Sequence, residues 1–296
     1  MEATHHLPLF SLSRHGSKTE MTTPPEQGHK ETRSSKKLVA YALLFFFAAA
    51  TVSFLQFRRF AGNSGADFLN QGLHYELGEG VTRDYVKARE FYQKGADAGN
   101  AQAMNNLGAL YEEGQGVSQD YAKAREWYEK AANAGFVHAI ENLGVMHYKG
   151  KGVAQDYRKA CEYYQKAANA GDAEAMYNLA IIYDKGQGVT QDYAKARELY
   201  EKAASAGIAF AMNNLGVIYE EAKGVTQDYR KAREWYQKSA EAGNAAAMYN
   251  LADLYERGHG VNQDYTKARE WYQKAADHGN SDAKEALSRL ASVQQP

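Results

Sequence analysis

Apolar and small residues recur through residues 66–293 with the spacing of amphipathic helices. In one representative segment they occupy Ala103, Met104, Leu107, Gly108 and Tyr111. This spacing places the five side chains on one face of an α-helix. The pattern therefore predicts a first helix, helix A, that buries this face.

A second amphipathic segment, helix B, follows a glycine-containing turn. Gly114 stands where a left-handed cap ends a helix, and Gly116 permits a second turn. Asp120 is predicted to begin helix B, because its carboxylate can accept from the free backbone amides of the first turn. The inner face of helix B is predicted to comprise Tyr121, Ala124, Tyr128, Ala131 and Ala132.

This pair of helices recurs at a constant interval of 36 residues. An aspartate followed by a tyrosine marks each predicted start of helix B, at Asp84, Asp120, Asp156, Asp192, Asp228 and Asp264. A period of this length is typical of helical repeat arrays, in which each unit packs against its neighbours. The sequence predicts one elongated array.

The phrase A-x-A-M-x-N-L-G-x-x-Y-x-x-G-x-G-V-x-x-D-Y-x-K-A-x-x-W-Y-x-K-A-A-x-x-G, at residues 101–135, resembles the Sel-1-like repeat, a relative of the tetratricopeptide repeat. The resemblance covers residues 66–293 as about six helix pairs and a last capping helix. It implies an all-α, right-handed α-solenoid with helix A on the concave side. It also implies an adaptor, since members of this family hold protein complexes together, often at membranes.

The N-terminal part of the chain has a different pattern. Residues 1–37 are polar and without apolar periodicity, so we expect a disordered tail. Residues 38–57 are twenty uncharged residues between basic pairs, enough to cross the ~30 Å hydrocarbon layer as a helix. We expect residues 58–65 to form a linker. We expect a single-pass signal anchor.

Four basic residues precede the apolar segment closely and two follow it, which favours repeats on the extracytoplasmic side, in a periplasm or lumen. If the anchor is cleaved instead, near the small residues 48–50, the protein would be a secreted repeat effector.

Charge and composition limit the classes of binding partner that the chain can have. The whole chain has a net charge of −1. Residues 1–59 carry eight basic and four acidic side chains, so residues 60–296 have a net charge of −5. A mildly acidic array lacks the positive field that nucleic acid requires. The single cysteine, Cys161, excludes an intrachain disulfide framework. We expect a protein or peptide partner, together with a lipid bilayer at residues 38–57.

The face of helix A opposite its apolar residues is the predicted partner-binding groove. One column of that face is almost always asparagine, at Asn106, Asn142, Asn178, Asn214 and Asn250. These amides could bind a peptide backbone or could instead bond the adjacent repeat. Apolar residues suggest a contact surface in the later units, at Tyr177, Ile181, Phe210, Val217 and Tyr249.

Catalytic chemistry finds little support in the sequence. The GxGV turns follow no predicted strand and lack the lysine of a phosphate-binding loop. The histidines do not have the spacing of metal ligands. We therefore expect no cofactor, no metal and no enzymatic activity. The carboxylate pairs Glu112-Glu113 and Glu220-Glu221 are expected to be solvated. A cell-envelope hydrolase remains the alternative function, although the paired cysteines of the family's β-lactam hydrolase branch are absent.

Overall fold

The computed structural model describes residues 64–293, which form thirteen α-helices and no strand. The helices are α1 (Gly65–Leu77), α2 (Tyr85–Asp97), α3 (Ala101–Glu113), α4 (Tyr121–Asn133), α5 (Val137–Lys149), α6 (Tyr157–Asn169), α7 (Ala173–Lys185), α8 (Tyr193–Ser205), α9 (Ala209–Glu220), α10 (Tyr229–Glu241), α11 (Ala245–Arg257), α12 (Tyr265–Asp277) and α13 (Ser281–Val293). Odd-numbered helices are the A helices, and even-numbered helices are the B helices.

The helices stack in chain order as an α-solenoid. Packing is densest between the A and B helices of one unit, and it continues from each B helix to the next A helix. The apolar interior is accordingly a row of clusters, each shared by neighbouring units. This is the all-α repeat architecture that the 36-residue period predicts.

Helix ends follow the predicted chemistry. The aspartate before each B helix is its N-cap residue, and its carboxylate accepts one or two hydrogen bonds from amides of the first turn. Gly114 ends α3 with φ 72°, in the left-handed region. The unit with Ala222 in place of that glycine departs from the pattern, because α9 ends one residue early, at Glu220. Ala222 has φ 58°, the only positive φ of a non-glycine residue in the described chain.

The buried part of an A helix is wider than the single predicted face. Leu110 is 1% exposed although it lies outside the predicted set, while Met104 and Tyr111 are only partly buried. Leu110 shares its cluster with Ala88 and Tyr92 of α2. The reason is that an A helix packs against two B helices, its own and the preceding one, so two arcs of its surface lose contact with water.

The predicted tail, anchor and linker at residues 1–37, 38–57 and 58–65 lie almost entirely outside the described residues. Within residues 64–293, no helix has both the length and the hydropathy required to cross a bilayer.

Gly116 and Gly135 provide a matched test of the close packing between units. Both have positive φ, but a Cβ on Gly116 would lie 2.4 Å from the carbonyl carbon of Tyr85, whereas one on Gly135 would meet nothing within 4 Å. We expect Gly135→Ala to cost about 1–2 kcal/mol from backbone strain, and Gly116→Ala to cost clearly more because α2 must also move. Urea unfolding of both variants measures this difference, and equal losses would contradict it.

Candidate functional site on the A helices

The predicted asparagine column links successive units. Asn142 donates from Nδ2 to Asn105 Oδ1 at 2.9 Å, and Asn250 donates in the same way to Asn213 at 3.0 Å. Asn178 donates to Glu141 Oε1 at 2.8 Å. In each case the acceptor belongs to the preceding A helix, 37 residues earlier. These amide groups therefore take part in joining neighbouring repeats.

The other two members of the column have different surroundings. Asn106 lies in α3 and accepts a long contact of 3.4 Å from its neighbour Asn105. Asn214 lies in α9 and lines a cavity between α7 and α9. All five asparagines are partly exposed, so each keeps some hydrogen-bonding capacity toward the surface.

Four predicted groove residues meet in that cavity. Tyr177 and Ile181 of α7 and Asn214 and Val217 of α9 line a space of about 300 Å³. The remaining lining residues are Asp184, Lys185, Ile218 and Lys223. The cavity lining combines apolar side chains with amide, carboxylate and ammonium groups, a mixture that suits an amphipathic ligand.

Phe210 lies beside this cavity with 62% of its surface exposed. Its ring centroid is 6.3 Å from that of Tyr177, which lines the cavity and also packs 6.0 Å from the buried ring of Tyr200. The fifth predicted apolar residue, Tyr249, lies farther along the solenoid, where its ring packs 5.2 Å from that of Tyr272. Asn106 and Asn142 belong to earlier units.

The interpretation of the carboxylate pairs as solvated is wrong for one member of each pair. Glu112 accepts a 2.8 Å hydrogen bond from the hydroxyl of Tyr128, and Glu220 accepts one of 2.6 Å from Tyr236. Only the second members, Glu113 and Glu221, are exposed. The sequence does contain a signal for this, since the two residues of each bonded pair are 16 positions apart.

These hydroxyl–carboxylate bonds occupy the polar ends of the buried tyrosines. Tyr128 is 2% exposed. Burial, and then the neighbouring Glu112 carboxylate, raise the pKa of its hydroxyl above the ordinary value, so it remains a donor at all physiological pH values.

Glu141 is the most perturbed carboxyl group of the A helices. Burial, and then the carboxylates of Asp172 and Glu174, raise its pKa from 4.5 to about 7, while His138 and the hydrogen bond from Asn178 act in the opposite direction. Its proton occupancy therefore changes near neutral pH, and so does the charge on the acceptor of Asn178.

The chemical groups of this face are suited to binding. Among the described residues no cluster of histidine, cysteine, aspartate or glutamate is arranged to hold a metal ion. Cys161 is half-buried on the B-helix side, where burial and then Glu162 raise the pKa of its thiol. The A-helix face presents amides, carboxylates and aromatic rings, which can make noncovalent contacts with a partner.

Sequence comparison identifies the repeat. The Sel1 repeat profile matches residues 72–100, 101–136, 137–172, 173–208, 209–244 and 245–280. No curated protein matches this sequence.

Solved structures share the fold. A Sel1 repeat protein from Oxalobacter formigenes is 36% identical, with a TM-score of 0.69 over 73% of this chain and 88% of that one. The protective antigen c5321 of uropathogenic Escherichia coli is 34% identical, with a TM-score of 0.57 over 78% and 58%. The immunity protein Pa5087 of Pseudomonas aeruginosa, at 21% identity and a TM-score of 0.50 over 73% and 83%, shows likeness of fold alone.

Glu141 predicts a defined pH dependence. Its folded-state pKa is above its ordinary value, so the folded state binds the proton more tightly and loses stability as pH rises from about 4.5 through 7. Glu141→Gln keeps an oxygen for Asn178 and removes the ionisation. We expect the variant to be more stable than the wild type at pH 8, by at most about 3 kcal/mol, and equal to it at pH 4.

Circular-dichroism melting across this pH range checks the effect. Glu174→Gln, which removes a neighbouring exposed carboxylate, is the control and should produce a smaller change. A constant difference between wild type and Glu141→Gln at all pH values would contradict the assignment.

Proposed function

Because this chain belongs to the Sel1 repeat family, we propose that it is a scaffold that binds a protein or peptide partner in the groove of its A helices. The observation that carries the proposal is the cavity between α7 and α9, with the exposed ring of Phe210 beside it. A solvent-exposed aromatic ring next to a partly apolar cavity is typical of a protein contact.

The asparagine column would extend this contact along the solenoid. An amide side chain has two N–H donors and an acceptor oxygen, so Asn142, Asn178 and Asn250 retain bonding capacity after each has donated once to the preceding unit. A peptide backbone crossing the A helices could use that capacity without a requirement for a particular sequence. Selectivity would then come from the variable neighbours, among them Phe210.

We further propose that residues 38–57 anchor the scaffold in a membrane, with the repeats on the extracytoplasmic side. This rests on the uncharged run of twenty residues and on the greater number of basic residues before it. This arrangement would hold the groove close to a membrane surface, where it could bind protein or peptide partners.

Phe210 should be a main determinant of peptide affinity. Peptides selected from a displayed random library on the full chain in detergent would be titrated against Phe210→Ser. We expect affinity to fall about tenfold or more, with an unchanged melting temperature because the ring is exposed. Leu77→Ser, which removes another exposed apolar side chain (55%) at the far end of α1, is the matched control and should bind normally. Equal affinities for all three proteins would refute the groove.

The anchor is tested by deletion of residues 38–57. The full chain should stay with membranes through a carbonate wash, and the deletion variant should appear in the soluble fraction with the melting transition of the repeats retained. A full chain that is released by carbonate would contradict a spanning anchor.

A further inference from the structure

The cavity between α7 and α9 coincides with one of two interruptions of a repeated hydrogen bond, the other being at Tyr164, where Tyr148 stands in place of the glutamate. In four units the buried tyrosine of the B helix donates to a glutamate of its own A helix, 16 residues earlier. The four pairs are Tyr92–Glu76, Tyr128–Glu112, Tyr236–Glu220 and Tyr272–Glu256.

At the cavity the equivalent pair is Tyr200 and Asp184, and the bond is absent. Tyr200 is fully buried and its hydroxyl finds no acceptor in the described chain, where the buried Oδ1 of Asp184 also has no hydrogen-bond partner. Aspartate is one methylene shorter than glutamate, which explains the gap. The alanine at position 180 does not explain it, because the unit with Ala252 at the same position keeps its bond between Tyr272 and Glu256 at 2.7 Å.

A second partner of this carboxylate is also missing. In other units the side chain 39 residues later, in the turn of the next repeat, bonds the same position: Lys151 binds Glu112 at 2.7 Å, and Gln187 accepts from Tyr148 at 2.9 Å. The corresponding Lys223 instead pairs with Glu221 at 2.9 Å. Its turn is the one altered by Ala222, where α9 ends early.

The surroundings define what could complete the site. A buried carboxylate oxygen without a donor is costly, and so is a buried hydroxyl without a partner. Lys223 is engaged by Glu221, and Lys185 is exposed, so neither cation occupies the buried oxygen. Tyr177 provides an aromatic wall, with Phe210 beyond it.

We propose that this cavity receives an arginine side chain of the protein partner, an inference that rests on the scaffold function proposed above. A guanidinium has five N–H donors and no acceptor, so it can donate to the unpaired Oδ1 of Asp184, which lines the cavity. Its flat face can stack on Tyr177 or Phe210. An amide would lack the charge attraction to Asp184. The volume of about 300 Å³ fits a single long side chain.

The decisive variant is Asp184→Glu, which restores the residue found in the four bonded units. The probes are N-acetyl-arginine N-methylamide and its glutamine counterpart, titrated into the full chain by ligand-observed NMR. We expect the wild type to prefer the arginine probe, and Asp184→Glu to weaken its binding about tenfold or more while raising the melting temperature. Asp184→Asn should weaken binding without a rise in melting temperature, and Glu174→Gln should change neither.

The outcomes separate this inference from the scaffold function. Unchanged arginine binding in Asp184→Glu, or equal binding of the glutamine probe to the wild type, overturns the arginine site. If Phe210→Ser still impairs the selected peptides in that case, the scaffold function stands without it. Loss of the arginine preference in Asp184→Glu together with higher stability supports the site, because a purely structural role for Asp184 would change only the stability.

Discussion

The solenoid depends on one contact, the packing of a B-helix tyrosine ring against a small residue of its own A helix. A Cβ on Gly108 would lie 2.8 Å from the ring of Tyr128, and one on Gly216 would lie 2.3 Å from Tyr236. The ring can therefore approach the A-helix backbone only because the side chain there is absent or a single methyl group. This approach fixes the distance between the two helices of a unit, and repetition of the unit then fixes the stacking.

Burial of the tyrosine ring also buries its hydroxyl group, and most units provide an acceptor for that hydroxyl. A tyrosine buried this deeply brings its hydroxyl under the A helix, where it requires an acceptor. The glutamate 16 residues earlier supplies one at Tyr128 and at Tyr236, and both glutamates occupy the repeat position at which Asp184 lines the cavity. Core packing and surface chemistry are thus connected through one side-chain bond in each of four units.

Departures from the repeat are therefore more informative about function than the repeat itself. The cavity occurs where aspartate replaces glutamate at position 184 and where alanine replaces glycine at position 222. The first change removes the acceptor of Tyr200, and the second accompanies the early end of α9. Phe210, the most exposed of the large apolar residues here, stands in the same two units. Partner recognition is best sought at this irregularity.

The sequence by itself determined the helices, their ends and their order. Asp120 and Gly114 cap helices through interactions within a few residues, so local spacing is sufficient to predict them. It also brought Tyr177, Ile181, Asn214 and Val217 into one candidate set, because equivalent positions of stacked A helices must be neighbours. The anchor at residues 38–57 stays a prediction.

Only the tertiary structure decided which polar groups are paired. Contacts between Asn178 and Glu141, or between Tyr128 and Glu112, depend on side-chain length and on how closely two helices approach. Asp184 does not bond Tyr200 because its side chain is one methylene group shorter than that of glutamate. The spacing of apolar residues in the sequence does not predict a difference of this size. The buried position of Leu110 depended in the same way on a second neighbouring helix. Local patterns specify the repeat, whereas the geometry between helices specifies the site.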